Sequence, residues 1–207
     1  MAFSNSIFIN CPFDKPYRRL LEPIIFACLY CKLTPKLSEL SDSGMIRGQN
    51  IISIIKNCKY SIHDLSRMKP QTANELSRFN MPFELGLDMG IRSNAKDKLK
   101  NKKCLIIDTE RYRYQAALSD ISGHDIDSYG KRNQIENMIK IIRDWFTRAL
   151  KPKQPSASTI YLEFTEFVSD LQTSLELAGF SASDIKDLTI SELICYTSEW
   201  INQRNRE

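Results

Sequence analysis

Apolar residues follow two different spacings along the first 150 residues, and the two spacings alternate. Residues 6–10 form a short continuous apolar run that stops at Pro12, as expected for a buried strand and its end. Apolar residues then recur at helical spacing over residues 17–28. Asp14 is the predicted cap of this helix, and Pro16 falls in its first turn, where proline is tolerated. This pattern predicts a strand followed by a helix.

The same alternation continues up to residue 150. Strands are predicted at residues 33–39, 59–63 and 104–110, and helices at residues 46–58, 80–93 and 133–150. The strand at 33–39 contains Pro35, which favours a position at the edge of a sheet. Residues 111–130 have no clear pattern, and a fifth strand could lie there. Alternating strands and helices predict an α/β fold, a parallel sheet with helices on both faces.

The composition changes after residue 150, where Lys, Pro and Ser replace the apolar pattern. We predict an α/β domain over residues 1–150, a linker over 151–159 and a helical extension over 160–207. Apolar stripes run through this extension, and their members are Tyr161, Phe164, Val168, Leu171, Leu175, Ile190, Leu193, Ile194, Trp200 and Ile201. Two helices bury little surface alone, so the extension should pack on the sheet domain, or bind a second copy or a partner protein.

Charge and cysteine content narrow the range of partners. The 29 Lys and Arg residues against 25 Asp and Glu give a net charge of +4, which is too mild to favour nucleic acid. The basic run at residues 96–103 is interpreted as a solvated loop. Six scattered Cys and only two His residues give no basis for a zinc site. No segment resembles a membrane span or a signal peptide, so we expect a cytoplasmic protein with reduced thiols.

Polar residues follow the predicted strands at the points where the strands end. In an open parallel sheet, ligands bind at the carboxyl ends of the strands. The loop at residues 10–14 follows the first strand, and Asp64 and Ser66 follow the strand at 59–63. The residues that could converge on one cleft are Asn10, Phe13, Asp14, Asp64, Ser66, Asn80 and Glu84.

Glu84 is the most unusual of these residues, because it lies in the first turn of a helix that is predicted to be half buried. Neither Asn80 nor Met81 as N-cap gives a complete capping box with Glu84, although a simple role at the helix dipole remains open. Phe83 with Leu87 and Ile91 is expected to pack, and Gly86 with Gly90 is expected to let the helix approach the sheet closely. The dipole should lower the pKa of Glu84 and keep it ionised, which favours a nucleophile or a fixed charge.

Four other side chains have two readings each. Arg47 could contact a phosphate at a helix N-terminus or be a solvated first-turn residue. Asp64 could be a site residue or a turn former. Asp88, one turn after Glu84, could be a second carboxylate or face solvent. His63 could have a role in the site, but it is expected to be packed or hydrogen-bonded. The chain has neither a GxGxxG motif nor a Walker loop, so no bound cofactor is expected.

Three segments, at residues 8–14, 63–67 and 78–86, together resemble the bacterial TIR-like and nucleoside 2-deoxyribosyltransferase-like superfamily. The last of these segments, Arg-Phe-Asn-Met-Pro-Phe-Glu-Leu-Gly, is the most specific, and the resemblance covers roughly residues 5–150. It implies a flavodoxin-like fold in which Glu84 is the catalytic carboxylate and Asp64 is the acidic residue at the tip of the central strand. The chain departs from typical deoxyribosyltransferases, which space the preceding acidic pair differently and often have a C-terminal Asn.

The resemblance also implies an activity, cleavage of an N-glycosidic bond in a nucleotide. NAD⁺ hydrolysis in antiviral defence is the first expectation, because nicotinamide leaves as a neutral base and needs no strong acid. The alternatives are a nucleoside or deoxynucleotide N-glycosidase or deoxyribosyltransferase, and a non-catalytic TIR-like nucleotide-binding or assembly module. The substrate-binding residues implied are Asn10, Pro12, Phe13, Asp14, Arg47, Asp64, Ser66, Asn80, Phe83 and Asp88.

Overall fold

A computed structural model describes residues 2–40, 44–68, 78–150 and 153–206. Five parallel strands form one sheet: β1 Ser6–Asn10, β2 Thr34–Lys36, β3 Tyr60–Asp64, β4 Lys103–Asp108 and β5 Asp127–Ser128. Their order is β2-β1-β3-β4-β5, which is the flavodoxin-like order. The predicted α/β fold is therefore confirmed, with β2 at the edge and a fifth strand inside residues 111–130.

Helices connect the strands and continue after the last of them. The α-helices of the described residues are α1 Arg18–Tyr30, α2 Arg47–Asn57, α3 Asn80–Asn94, α4 Gln134–Ala149, α5 Ala157–Leu177, α6 Ala182–Lys186 and α7 Ile190–Arg204. Short 3-10 helices lie at Phe3–Asn5, Lys15–Tyr17, Ser38–Leu40, Lys98–Asn101, Arg113–Ala116 and Ser119–Ile121. No α-helix among the described residues combines the length and the apolar composition needed to cross a membrane.

The two faces of the sheet have separate apolar clusters because side chains alternate along each strand. Ile7 and Ile9 of β1 belong to the large cluster that α1 and α4 cover, whereas Phe8 between them packs with Ile51 and Ile55 of α2. All five residues of β1 and all five of β3 are buried. These central strands thus have helices on both faces, as the continuous apolar runs predict.

The C-terminal helices α5 and α7 pack on the sheet domain. Phe26 of α1 is fully buried, and its ring contacts the rings of Phe164 and Phe167 in α5 and of Trp200 in α7. Helix α5 begins at Ala157, where the Ser156 side chain caps it, so it starts inside the predicted linker. The extension therefore shares the main apolar cluster with the α/β domain.

Helix α3 has the predicted position but a different orientation. The buried residues of this helix are Met81, Glu84, Leu85 and Asp88. Gly86 and Gly90 lie on the outer side, where an added Cβ would meet nothing within 4 Å. Phe83 is 64 % exposed. The predicted close approach through the two glycines and the predicted packing of Phe83 are therefore wrong. Leu87 and Ile91 do pack, as partly buried neighbours of the Phe8 cluster.

Candidate functional site

The strand order reverses between β1 and β3, and the loops after these two strands meet there. Asn10, the last residue of β1, is paired in register with His63 of β3. The Asn10 amide nitrogen donates to the Met81 carbonyl oxygen and lies 2.9 Å from His63 Nδ1. These contacts hold the first turn of α3 against the tips of β1 and β3. Glu84 follows one turn later in the same helix. This edge of the sheet is where ligands of such folds bind.

The Glu84 side chain is buried, with only 4 % of the residue exposed. Among the residues that the structure describes, none donates a hydrogen bond to its carboxylate. Helix α3 begins at Asn80 with no acidic residue in its first turn, so Glu84 lies beyond the turn in which the dipole acts. Burial raises the pKa of Glu84, and Arg47 opposes that rise only in part. The predicted lowering of this pKa is therefore wrong, because desolvation outweighs the dipole.

Arg47 is the first residue of α2, and its charge acts on Glu84. Its guanidinium group forms an ion pair with Glu39 at 3.2 Å and donates to Ser38 Oγ at 3.2 Å. The Arg47 charge lowers the pKa of Glu84, and the Glu39 charge raises it. An anionic group that approached Glu84 would therefore meet Arg47, which is paired with the exposed carboxylate of Glu39.

A buried polar network lies on the other side of Glu84. His63 Nε2 is 3.1 Å from Asp88 Oδ2, and Lys102 Nζ is 3.3 Å from Asp88 Oδ1. His63 Nδ1 faces the Asn10 amide nitrogen, and Nε2 carries a proton toward Asp88. Burial lowers the pKa of His63, but Cys104 and the hydrogen bond with Asp88 outweigh burial and raise the pKa to about 9. Burial raises the pKa of Asp88, but the His63 hydrogen bond and the Lys102 charge outweigh it and hold the pKa below its usual value.

The structure thus decides between two readings of Asp88 and corrects the reading of the basic run. Asp88 is buried and paired, so it does not face solvent. Lys102 is only 2 % exposed and donates to the carbonyl oxygens of Ile55 and Cys58. The run at residues 96–103, interpreted as solvated, therefore contains one buried cation. His63 is hydrogen-bonded, as expected.

Asp64 is fully buried at the end of β3, and both of its oxygens have protein donors. The Tyr17 hydroxyl group donates to Oδ2 at 2.5 Å, and the Ser66 backbone N–H donates to Oδ1 at 2.7 Å. Burial raises the pKa of Asp64, and hydrogen bonds from Ser66 and Tyr17 oppose that rise. These contacts support the turn-forming reading of Asp64, which ties the segment after β1 to the tip of β3.

The first loop is held by Asp14. Its carboxylate accepts from the Tyr17 backbone N–H at 2.9 Å and forms ion pairs with Arg67 at 3.1 Å and Arg78 at 3.7 Å. Phe13 is half-buried against the main apolar cluster, and this contact helps to fix the loop. The loop therefore has a defined conformation before any ligand binds.

Cys11 was not among the predicted site residues, although it follows Asn10 directly. The thiol is fully buried, and burial together with the charges of Asp64, Glu84 and Asp14 raises its pKa well above the usual value. Charges from the first loop, the tip of β3 and α3 therefore all act on this one thiol. Its place after Asn10 at a strand end was the available signal.

The other predicted site residues lie around this centre or away from it. Pro12, Phe13 and Asp14 line a cavity of about 630 Å³ together with Glu39 and residues of α1, α6 and α7. Ser66 is half-buried, and Asn80 is exposed at the start of α3. The exposed Phe83 points away from the centre, on the outer side of α3 with Gly86 and Gly90.

Two further findings concern metal binding and similarity to known proteins. Within the described ranges, no group of three His, Cys, Asp or Glu side chains is arranged to hold a metal ion. The chain matches no protein-family model and no curated protein.

Proposed function

We propose that this protein cleaves the N-glycosidic bond of a nucleotide, with NAD⁺ as its substrate and Glu84 as its catalytic carboxylate. The observation that carries the proposal is the state of Glu84: a buried carboxylate to which no described residue donates a hydrogen bond. The Glu84 oxygens are not among the fully buried side-chain atoms of the described residues that lack a partner, so they remain accessible from the cleft. A ligand that supplies hydroxyl groups or a developing positive charge could therefore bind to this carboxylate.

The chemistry of glycosidic cleavage fits such a carboxylate. The transition state has oxocarbenium character, and an ionised Glu84 would stabilise its positive charge or attack the anomeric carbon. A site with little water strengthens that interaction. Arg47 helps to keep Glu84 ionised and is placed to meet a phosphate of the substrate. Nicotinamide leaves as a neutral base, so the reaction needs no separate acid.

The raised pKa of Glu84 favours a second candidate. A carboxyl group with a raised pKa is suited to protonate a leaving group, as a nucleoside or deoxynucleotide N-glycosidase or deoxyribosyltransferase requires for a purine base. The two candidates predict opposite pH profiles. The rate of NAD⁺ cleavage should fall as Glu84 becomes protonated at low pH, whereas acid catalysis by Glu84 should be lost at high pH.

The biological role proposed for this activity comes from the resemblance to TIR-like proteins. Many TIR-like proteins cleave NAD⁺ as antiviral effectors, and we extend that role to this chain. We also propose a cytoplasmic location and activation through self-association or a partner protein. A TIR-like nucleotide-binding or assembly module without catalysis is the remaining alternative.

The test is release of nicotinamide from NAD⁺ by the purified chain at high protein concentration. Glu84→Gln keeps the shape and removes the charge, and it should lower the rate about a hundred- to a thousandfold, or roughly 3–4 kcal/mol of transition-state stabilisation. Glu136→Gln makes the same change at an exposed position of α4 and should leave the rate unchanged.

Three outcomes separate the alternatives. A Glu84→Gln variant with the wild-type rate would refute the role of Glu84. Base release from nucleosides but not from NAD⁺ would favour the second candidate. Binding of NAD⁺ without release of any base, even at high protein concentration, would favour the non-catalytic module.

A further inference from the structure

A cavity of about 630 Å³ lies between the first loop and the C-terminal helices. Apolar side chains from two parts of the chain line it: Phe13 and Leu21 belong to the α/β domain, and Leu188 and Ile190 belong to the C-terminal extension, called the tail below. The volume is in the range of about 300–1,000 Å³ typical of small-molecule sites, and such sites occur preferentially where two parts of a chain meet. Such an apolar lining suits a flat aromatic group.

Cations border the cavity. The Lys15 ammonium group forms an ion pair with Asp187 at 3.0 Å, which joins the first loop to the tail. Arg18 is paired with Glu22 at 2.9 Å. The Lys186 side chain, in contrast, has no hydrogen bond or ion pair with any residue that the structure describes. A phosphate group at this border would find one unused cation, with Lys15 and Arg18 beside it.

The tail residues that line the cavity are held in place. The capping box between Ser181 and Asp184 fixes the start of α6, and Leu188 is 5 % exposed. In the following helix α7, Leu193 and Ile201 belong to the main apolar cluster. The cavity is therefore formed by docked elements.

Glu39 joins this cavity to the surroundings of Glu84. It lines the cavity, its carboxylate is paired with Arg47, and its charge raises the pKa of Glu84. A ligand with its sugar at Glu84 would pass Arg47 and Glu39 and continue into the cavity.

We propose that the cavity binds the second nucleoside phosphate of a dinucleotide, so that α6 and the start of α7 form part of the substrate site. The base would lie between Phe13 and the apolar tail residues, and its phosphate would be bound by Lys186. This inference rests on the proposed function, since it places the reacting sugar at Glu84. The tail then selects dinucleotides over single nucleosides.

The experiment compares two ligands on the Glu84→Gln protein by isothermal titration calorimetry. NAD⁺ carries the second nucleoside phosphate, and nicotinamide mononucleotide lacks it. NAD⁺ should bind at least about tenfold more tightly. Ser183→Trp, at an exposed residue that lines the cavity, should fill it and bring the two affinities to within about twofold. Lys186→Glu should weaken NAD⁺ binding about two- to fivefold and leave the mononucleotide unaffected.

Two control variants make the same changes elsewhere. Ser169→Trp alters an exposed residue of α5, and Lys100→Glu alters an exposed residue near the amino end of β4. Both should keep the preference for NAD⁺. Lys186→Glu changes only an exposed side chain, so it tests the site even if Ser183→Trp does not fold.

Equal affinity of the two ligands, absence of binding by both, or an unchanged preference in Ser183→Trp and Lys186→Glu would overturn the inference. The proposed function fails separately. If the wild-type protein releases no nicotinamide while Glu84→Gln prefers NAD⁺ through the cavity, the site stands and the activity does not. If nicotinamide is released without that preference, the activity stands and the site does not.

Discussion

The Glu84 side chain is only 4 % exposed, and burial raises the pKa of its carboxyl group above the ordinary value of 4.5. Between these two pKa values the folded state binds more protons than the unfolded state, so the free energy of unfolding falls as pH rises through that window. Glu84→Gln has no such dependence. The variant should therefore be more stable than the wild type at pH 8, and the difference should shrink as pH falls toward 4.5. Urea unfolding over this pH range measures it.

The Glu136→Gln variant provides the control for this pH dependence. Glu136 is exposed in the first turn of α4, where a carboxylate contributes at most about 0.3–1 kcal/mol through the helix dipole, so its replacement should change the free energy of unfolding by no more than this at any pH. A difference between Glu84→Gln and wild type that stays constant with pH, or grows toward low pH, would contradict the raised pKa.

Asp88 compensates the buried charge of Lys102, which lies 3.3 Å away. Asp88→Asn retains the shape and a partner for His63 but leaves the cation uncompensated, so it should lower the free energy of unfolding by about 3–5 kcal/mol. Chemical denaturation is the measurement. The double variant with Lys102→Met should recover part of the loss, because it removes the stranded charge.

Asp144→Asn is the matched control for Asp88→Asn. Asp144 is also paired with a lysine, Lys140, but on the surface of α4, where such a pair contributes about 0–1 kcal/mol. If Asp88→Asn cost no more than this surface control, the buried network would not stabilise the fold.

Helix α3 shows what the sequence can and cannot predict about an element. Its extent, residues 80–93, was predicted almost to the residue, since the proline and the apolar spacing are local signals. Its inward face was not predicted. In the sequence Asp88 could be a second carboxylate or face solvent, and it is buried because two residues from distant parts of the chain contact it: Lys102 compensates its charge and His63 hydrogen-bonds it. Local periodicity cannot reveal such partners.

The residues of the candidate site were likewise predicted only in part. The ends of β1 and β3, with Asn10 and Asp64, were predicted because parallel strands bring their carboxyl ends to one edge. Tyr17, which donates to Asp64, and Glu39, which is paired with Arg47, were not. Those contacts depend on how the loops fold over that edge, and no local pattern encodes it.

The outward orientation of α3 leads to a prediction about Gly86. Gly86 is exposed within the helix, and a Cβ there meets no atom within 4 Å. Gly86→Ala should therefore raise the free energy of unfolding by about 0.5–1 kcal/mol, because alanine loses less backbone entropy in a helix. Thermal or urea unfolding measures the change.

Gly130→Ala is the contrasting variant. Gly130 also has open space around its Cα, but its φ is +70°, a conformation that strains alanine. It should destabilise the protein. A loss of stability in Gly86→Ala would mean that this face of α3 is covered, as the sequence pattern first suggested.

At the scale of the whole molecule, the tail completes the apolar core of the α/β domain. Phe26 is fully buried only because α5 and α7 cover it. The apolar stripes of the tail were visible in the sequence, but the surface they cover was not. Sequence alone left docking on the same chain and binding to another chain equally open, and the packing of Phe26 shows docking on the same chain.

Removal of the tail after Leu150 tests this arrangement. The truncated chain would expose Phe26 and its neighbours, and a fully buried aromatic side chain contributes about 1.5–3 kcal/mol relative to an exposed one. We expect aggregation, or a larger particle by light scattering, together with a lower free energy of unfolding. A chain that ends at Arg204 keeps α7 and should behave like the full-length protein. A truncated chain with an unchanged subunit number and an unchanged free energy of unfolding would show instead that the tail is an independent appendage, and the cavity between it and the first loop could then have no fixed wall.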